Sequence, residues 1–240
     1  MKARIVFSLV GCTILSPAAE AAPWNEASKD FFMEGLAAQS SKADAADLNG
    51  DGYIDVVFAN CGGFDKGDDN SDLPQQAFFN NAGTAMSDVS ISVFGEGKTY
   101  NGRAIKARDI DYDGDIDIIL GTTWNSQSQL FLNDGAGNFT NETASHLPQG
   151  LASVGDVEVG DVDQDGDLDM LLADWGLDSP VSISAGGITQ LWDQMGTPAN
   201  FGEQGTGMFA DVTLGQMPNI NVRWSWDLEF VDVDNDYALD

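Results

Sequence analysis

Four times the sequence places acidic or amide side chains in the spacing Asp-x-Asp/Asn-x-Asp-x-x-x-Asp. We name these segments loop one (47–55), loop two (109–117), loop three (161–169) and loop four (232–240). Their ladder residues are Asp47, Asn49, Asp51 and Asp55; Asp109, Asp111, Asp113 and Asp117; Asp161, Asp163, Asp165 and Asp169; and Asp232, Asp234, Asp236 and Asp240. Oxygen ligands grouped on a short loop suit a hard divalent cation, and Ca²⁺ is favoured over the more heavily hydrated Mg²⁺. The spacing predicts up to one Ca²⁺ per loop.

Two other interpretations of the ladders are a helical EF-hand and a metal-free turn. An EF-hand needs a bidentate glutamate at the twelfth position, followed by a helix. That position holds Phe58, Leu120 and Leu172 in the first three copies, and none of these side chains can bind a cation. The metal-free alternative stays open for any single loop, because aspartate and asparagine are common turn formers.

Short apolar runs surround each ladder and predict the elements that hold it. Runs at 54–58, 116–120 and 168–172 follow the first three ladders, and runs at 104–108, 157–160 and 228–231 precede the last three. Further alternating segments occur at 76–83, 129–137 and 190–196, and then at 86–91, 138–143 and 208–213. Short alternating segments bounded by glycine and asparagine are typical of strands. Each ladder is therefore predicted to be the loop of a β-hairpin.

The repeat predicts an all-β fold, a β-propeller of four-stranded blades. Four antiparallel strands recurring every 50 to 70 residues or so describe propeller blades. We place the blades at about 44–103, 104–154 and 155–224, with an incomplete fourth at 225–240. About three and a half blades cannot close a ring, so the sequence is expected to be a fragment of a longer protein.

These features resemble the FG-GAP/VCBS repeat, the blade of integrin-α-like β-propellers. The resemblance is carried by DLNGDGYIDVVFAN, by DIDYDGDIDIILGT with QLFLNDGAGNFT, and by DVDQDGDLDMLLAD with MFADVT. It implies six to eight blades in the whole protein. It also implies Ca²⁺ bound by ladder positions one, three, five and nine and by the backbone carbonyl of position seven. Those carbonyls belong to Tyr53, Asp115, Asp167 and Ala238.

Glycine at the sixth ladder position would allow the sharp turn that such a loop needs. Gly52, Gly114 and Gly166 supply it, whereas loop four has Tyr237 there. Loop four is therefore the weakest of the four predicted sites.

Charge and composition exclude some functions. The chain has 240 residues, 39 acidic against 10 basic, and a formal net charge of −29. So few basic residues leave no electrostatic footprint for nucleic acid. Clustered carboxylates repel one another unless cations neutralise them, so folding is expected to be coupled to metal binding. Beyond the N-terminal segment, no apolar stretch is long enough for a transmembrane helix.

The N-terminus has the pattern of a secretory signal peptide at 1–21. Lys2 and Arg4 precede an apolar run, and a small-x-small site before Ala22 suits cleavage. The protein is then expected to be secreted, periplasmic or on the cell surface. Two alternatives are a lipoprotein acylated at Cys12 and a buried N-terminal helix. After cleavage Cys61 is the only cysteine left, so no disulfide can form within this stretch.

No catalytic constellation is predicted. His146 is the only histidine and lies in a loop-like stretch. Trp124 and Trp175 fall in the loops between second and third strands, which in the resembling propellers lie on the ligand-binding face. They are candidates to bind a ligand, with packing between blades as the alternative.

We therefore expect a calcium-binding recognition or adhesion module for carbohydrate or an extracellular protein. The alternative is the scaffold of a polysaccharide lyase or hydrolase. Such an enzyme needs basic groups beside its substrate, and the local basic residues are Lys98, Arg103, Lys106 and Arg108. Charge balance beside loop two is another role for Arg108. The sequence leaves open whether the protein is an enzyme and what ligand it binds.

Overall fold

The structure is a computed structural model that describes residues 40–61, 73–176, 186–195, 206–223, 225–234 and 239. The expected signal peptide at 1–21, including Cys12, lies outside the described residues. So do Asp236, Ala238 and Asp240 of loop four. Within the described ranges, no helix is long and apolar enough to cross a membrane.

The described chain is built from three four-stranded antiparallel sheets and one two-stranded sheet. Sheet one contains β1 (Ser40–Ala46), β2 (Asp55–Asn60), β3 (Gln76–Asn80) and β4 (Met86–Asp88). Sheet two contains β5 (Gly102–Arg108), β6 (Asp117–Thr122), β7 (Gln129–Asn133) and β8 (Phe139–Asn141). Sheet three contains β9 (Val154–Gly160), β10 (Asp169–Asp174), β12 (Gln190–Gln194) and β13 (Phe209–Asp211). β11 (Gly187–Ile188) pairs with β14 (Asn221–Val222) in the small sheet, which the sequence did not predict. The all-β prediction is confirmed.

Each large sheet is a meander, and its first two strands are joined by a ladder loop. The last residue of the first strand pairs with the ninth-position aspartate in all three cases. The pairs are Ala46 with Asp55, Arg108 with Asp117, and Gly160 with Asp169. The ladder is therefore a hairpin loop, as predicted, and its last aspartate begins the second strand.

The sheets pack face to face through their apolar residues. β1 lies against β5 and β5 lies against β9, so the first strands of successive sheets are neighbours. Sheet two is apolar on both faces, because its residues alternate between two cores. Ile118 and Leu120 point into the core shared with sheet one, whereas Ile119 points into the core shared with sheet three. This alternation follows from the two-residue period of a strand, and the arrangement is that of neighbouring propeller blades.

A single helical turn follows the fourth strand of each large sheet. These turns are α1 (Ser90–Phe94), α2 (Thr143–His146) and α3 (Thr213–Gln216). In sheet two, Asn141 Oδ1 accepts a hydrogen bond from the Thr143 N–H at 3.1 Å, and Thr143 Oγ1 accepts one from the Leu130 N–H at 3.0 Å. Such side-chain bonds compete with the backbone hydrogen bonds between strands, and they start the helical turn. Two expectations were therefore wrong: Ile91 is helical rather than extended, and His146 ends a helix rather than lying in a loop.

The strand predicted at 228–231 is not formed. Residues 225–234 run past β9 without pairing to any strand among the described residues. The Leu228 N–H instead donates to the Asp156 carboxylate at 3.1 Å. A β-strand is defined by backbone hydrogen bonds to a neighbouring strand. Here the Leu228 N–H is bonded to a side chain instead.

Candidate metal centre

The ninth-position aspartate holds each ladder loop closed. In loop two, the buried Asp117 accepts a hydrogen bond from the Ile110 N–H at Oδ2 (2.9 Å) and from the Asn133 N–H at Oδ1 (2.9 Å). The first bond spans the loop and the second reaches the end of the third strand. The equivalent bonds join Asp55 to Leu48 and Asn80, at 2.9 and 2.7 Å, and Asp169 to Val162 and Gln194, at 2.9 and 3.0 Å. This carboxylate is therefore structural as well as a candidate ligand.

The first-position aspartate binds the turn at the sixth position. Asp109 Oδ2 accepts a hydrogen bond from the Gly114 N–H at 3.1 Å, and Asp161 Oδ2 accepts one from the Gly166 N–H at 3.2 Å. The φ angles of these glycines are 97° and 103°, a conformation that side chains disfavour. Gly52 is similar at 86°, so the predicted use of glycine is confirmed in loops one to three.

The fourth position of each loop is also left-handed, which the sequence analysis missed. Gly50, Tyr112 and Gln164 have φ angles of 69°, 59° and 62°. Only the glycine at loop one signals this conformation, because tyrosine and glutamine there carry no turn preference of their own. The loop hydrogen bonds impose the conformation.

Positions one, three and nine come together in loops two and three. Carboxylate oxygens of Asp109, Asp111 and Asp117 lie within 4.8 Å of one another, and so do those of Asp161, Asp163 and Asp169. All the available ligand atoms are oxygens, which is the donor set of a hard cation. These two groups could hold a metal ion.

The position-five aspartates, Asp113 and Asp165, are not members of these two groups. Asp113 Oδ1 accepts the Asp115 N–H at 2.9 Å, and Asp165 Oδ1 accepts the Asp167 N–H at 3.1 Å. In loops two and three, the structure therefore brings together three of the four predicted side-chain ligands, and the fourth accepts a hydrogen bond within the turn. The predicted carbonyl ligands of position seven stay a prediction.

Loops one and four supply fewer carboxylates within the described residues. Loop one has Asn49 at position three, and Asp51 is exposed, with its N–H donating to Asp47 Oδ1 and Asn49 Oδ1 at 3.1 and 3.0 Å. Of the ladder residues of loop four, only Asp232 and Asp234 are described. Calcium binding at both loops stays a prediction.

Burial raises the pKa of several ladder carboxylates. For Asp117 burial, partly offset by its two backbone hydrogen bonds, raises the pKa to about 7, with Asp111 and Asp113 adding repulsion. For Asp169 the same causes, with repulsion from Asp193 and Asp163, raise the pKa to about 6. Burial also raises the pKa of Asp55, Asp109, Asp111 and Asp163. Holding these groups charged together is unfavourable unless a cation joins them.

One buried carboxylate oxygen directly supports a cation at loop two. Asp109 Oδ1 has no hydrogen-bond partner within the described part of the chain. A buried carboxylate oxygen without a donor is costly, and native proteins almost always satisfy such atoms. A cation among Asp109, Asp111 and Asp117 would satisfy it.

Amide side chains at the ends of the third strands contact the ladder loops, and the sequence analysis did not single them out. The Asn133 Nδ2 atom donates to the Ile116 carbonyl of its own loop and to the Leu48 carbonyl of loop one, both at 2.9 Å. Gln194 Nε2 likewise donates to the carbonyls of Leu168 and Ile110, both at 3.1 Å. Each amide thus joins two successive ladder loops. The signal was the recurrence of Asn or Gln at the end of QAFFN, QLFLN and QLWDQ.

The two candidate tryptophans pack between sheets. Trp124 is 8% exposed and Trp175 is 6% exposed, and their rings meet edge to face with centroids 5.7 Å apart. Trp175 also stacks on Trp226 at 5.5 Å and donates from Nε1 to Thr123 Oγ1 at 3.2 Å. Packing between parts of the chain accounts for both rings, because each is covered by an aromatic ring from the next part of the chain. A ligand-binding role for them is untested.

Arg103, Lys106 and Arg108 contact residues from other parts of the chain. Arg103 is buried, with its guanidinium 4.6 Å from the Trp226 ring centroid. Lys106 pairs with Glu158 of sheet three, and Arg108 pairs with Asp44 of sheet one at 3.0 Å. The charge of Arg108 therefore balances Asp44 directly, rather than the ladder that follows it.

The Cys61 side chain is buried. Its Sγ lies 3.1 Å from Ser41 Oγ and 3.2 Å from Arg103 Nη1. These contacts fit a small packed residue beneath β1.

Comparison with known families matches one part of the chain. Residues 109–172 match the model of an FG-GAP-like repeat. The match begins at the first aspartate of loop two, contains all of loop three, and ends within β10. No curated protein matches the chain. The chain therefore carries an FG-GAP-like repeat within an all-β, propeller-type arrangement of four-stranded sheets.

Proposed function

We propose that this protein is a calcium-stabilised β-propeller module that recognises a carbohydrate or a protein outside the cytoplasm. The observation that carries the calcium part is the recurrence of one loop geometry. Carboxylates at positions one, three and nine converge within 4.8 Å in both loop two and loop three. Two independent loops with the same convergence are hard to explain as turns alone.

Calcium would stabilise the fold by joining each ladder loop to the start of the strand that follows it. Asp109 and Asp111 lie in the loop, whereas Asp117 begins β6 and is bonded to the end of β7. A cation shared by these carboxylates would tie three segments together and remove their mutual repulsion. Because the amides of Asn133 and Gln194 connect successive loops, order in one loop would be transmitted to the next.

The recognition part is supported by a cleft at the opposite ends of the second strands. A cavity of about 220 Å³ is lined by Asn125, Leu151, Ser153, Asp174 and Gly176, among others. Leu151 is exposed, and Asn125, Ser153 and Asp174 supply polar atoms. Ligand pockets usually measure about 300–1,000 Å³, so this cleft suits one small polar group of a larger ligand. It lies between sheets two and three, away from the ladder loops.

Recognition is favoured over the lyase or hydrolase alternative by the placement of the basic residues. Arg103 lies over the Trp226 ring, and Lys106 and Arg108 pair with acids of the neighbouring sheets, so these residues do not form a free basic patch for an anionic polysaccharide. Lys98, the fourth of the local basic residues, is exposed in a turn.

Thermal melting tests the calcium claim. The protein is freed of divalent ions, and its melting temperature is followed while Ca²⁺ or Mg²⁺ is added in parallel. The proposal expects a concentration-dependent rise with Ca²⁺ and a much smaller rise with Mg²⁺. Equal melting curves with and without Ca²⁺ would refute the claim that calcium stabilises the fold.

Binding and cleavage are separated by a second experiment. The calcium-loaded protein is incubated with a panel of neutral and anionic polysaccharides, and both retention and chain shortening are measured. A recognition module retains a polysaccharide or a protein partner without shortening it. Product formation would instead support the enzyme.

A further inference from the structure

The turn between the third and fourth strands of one sheet lies against the ladder loop of the sheet before it. In sheet three this turn contains Gly207, which is buried and has a φ angle of 59°. A Cβ atom added to Gly207 would lie 3.3 Å from Asp111 Cβ of loop two and 3.5 Å from His146 Cδ2 of α2. Asp111 is the position-three aspartate of loop two, so the backbone of sheet three closes over a candidate calcium ligand of sheet two.

The same contact recurs one sheet earlier. Gly137, in the corresponding turn of sheet two, is also buried and has a φ angle of 79°. A Cβ atom added there would lie 3.1 Å from Asn49 Cβ of loop one and 2.7 Å from the ring of Phe79. Both glycines stand two residues before the phenylalanine that begins the fourth strand, Phe139 or Phe209. Each glycine therefore lies against the position-three residue of the preceding loop, and glycine suits both the left-handed backbone and the close approach.

The Gln194 side chain fixes the turn of sheet three on loop two. Its Oε1 accepts a hydrogen bond from the Gly207 N–H at 3.1 Å, and its Nε2 donates to the Ile110 carbonyl at 3.1 Å. Gln194 is buried, so both bonds are shielded from water. One side chain thus joins Gly207 to the residue next to Asp111, and buried contacts set the position of the turn relative to that aspartate.

The exposure of the position-three residues follows the same pattern. Asn49 and Asp111 are half-buried, whereas Asp163 of loop three is exposed. Among the described residues, no four-stranded sheet follows sheet three. A position-three side chain is therefore shielded where the turn of a following sheet lies against it. A ligand side chain that is held in place by packing binds a metal more tightly, because less conformational freedom is lost on binding.

We propose that Gly207 of sheet three is a positioning residue for calcium at loop two. The turn that contains it holds Asp111 in the orientation in which its carboxylate meets those of Asp109 and Asp117. A side chain at position 207 displaces Asp111 and weakens calcium binding at loop two, whereas loop three keeps its affinity. Loop two is then a metal site that two sheets complete, so calcium binding there favours the docking of sheet three on sheet two.

This inference rests on the calcium binding proposed for the ladder loops, and a titration that resolves each loop separates the two claims. Ca²⁺ is added to isotope-labelled protein, and the amide signals of Gly114 and Gly166 are followed by NMR spectroscopy. Their N–H groups are bonded to the first aspartates of loops two and three, so each signal reports calcium binding at its own loop.

The test variant is Gly207→Ala, and its matched control is Gly97→Ala. Gly97 has a similar φ angle of 66°, but a Cβ atom added there would meet no atom within 4 Å. The two substitutions therefore share the backbone strain and differ in the contact with Asp111. Circular dichroism in saturating Ca²⁺ checks folding. If Gly207→Ala does not fold, Gly207→Asn replaces it, because asparagine tolerates the left-handed conformation and still places a Cβ atom against Asp111.

In Gly207→Ala, the Ca²⁺ concentration at the midpoint of the Gly114 titration should rise about tenfold, as when other residues that orient metal ligands are replaced. The Gly166 midpoint should stay unchanged, and Gly97→Ala should move neither midpoint. An unchanged Gly114 midpoint, or equal shifts at both loops, would refute the positioning role and leave the ladder sites standing. If Ca²⁺ moves neither signal in the unmodified protein, both this inference and the proposed calcium binding fail.

Discussion

The side-chain amide nitrogen of Asn133 lies 2.9 Å from the backbone carbonyl oxygen of Leu48, so the third strand of sheet two holds the ladder loop of sheet one. The Gln194 amide repeats the contact one sheet further on, at 3.1 Å from the Ile110 carbonyl. Both carbonyls belong to the second ladder position, whose N–H is bonded to the ninth-position aspartate. The candidate metal loops are therefore linked to one another through backbone groups.

Replacing Asn133 with alanine should destabilise the protein by about 1–3 kcal/mol. The substitution leaves the carbonyls of Leu48 and Ile116 without this donor in a buried position, and unsatisfied buried groups cost about that much. The matched control is Asn80→Ala, whose side-chain amide donates to the Ile54 carbonyl at 3.1 Å and accepts from the Gly83 N–H at 2.7 Å, both in exposed positions within its own sheet. Urea unfolding of both variants checks the prediction. Equal losses in the two variants would show that the contact between loops adds nothing.

Gly114→Ala should cost about 1–2 kcal/mol, because a side chain at a φ of 97° is strained. An added Cβ would meet no atom within 4 Å, so the cost is in the backbone alone. Gly150→Ala is the control, since that glycine also has open space around it and no positive φ. Thermal melts in calcium-free and calcium-containing buffer should show the larger loss for Gly114→Ala in both. A neutral Gly114→Ala would show that the turn is not fixed as described.

Calcium-free protein should lose stability as the pH rises from about 4 to about 7. The folded-state pKa values of Asp117 and Asp167 are raised from 3.8 to about 7, and that of Asp169 to about 6. The folded state therefore binds more protons than the unfolded chain in this range, and stability falls with rising pH. Calcium binds the deprotonated carboxylates, so saturating Ca²⁺ should flatten or reverse the slope.

Melting temperatures at several pH values, with and without Ca²⁺, give both slopes. In calcium-free buffer, Asp167→Asn should reduce the loss at high pH, because the amide removes a buried charge that is repelled by Asp165, Asp169 and Asp193. Stability that rises with pH in the calcium-free protein would contradict the assigned shifts.

Trp175→Ala should destabilise the protein by about 3–5 kcal/mol, as expected for truncating a buried aromatic ring. The ring packs against Trp124 and Trp226 and so connects sheets two and three with the segment after β14. Trp175→Phe keeps most of the packing and loses the bond to Thr123, so it should cost about 1 kcal/mol. Chemical denaturation followed by circular dichroism measures both. A small loss for Trp175→Ala would reopen the role of this residue as a surface contact.

The hairpins and their loops could be predicted from the sequence because local patterns determine them. The ladder spacing, the sixth-position glycines Gly52, Gly114 and Gly166, and the alternating apolar residues all act within a few residues. The second strands begin at Asp55, Asp117 and Asp169, one residue after the start of each predicted apolar run. The helical turns were missed because they depend on Ser90, Thr143 and Thr213, whose hydroxyl groups accept bonds from the third strand.

Contacts between sheets could not be predicted in the same way. The bond from Asn133 to Leu48 joins residues 85 positions apart, and no local preference indicates it. The burial of Trp124 and Trp175 likewise depends on rings from successive sheets meeting at one point.

Calcium binding by the ladder loops is tested most directly by crystallography. Crystals are grown in CaCl₂, or in terbium chloride for a stronger signal, and anomalous difference density is calculated at the loops. We predict peaks about 2.3–2.6 Å from carboxylate oxygens of Asp109, Asp111 and Asp117, and equally of Asp161, Asp163 and Asp169. Loops that keep the same conformation but contain only water at these positions would contradict the account.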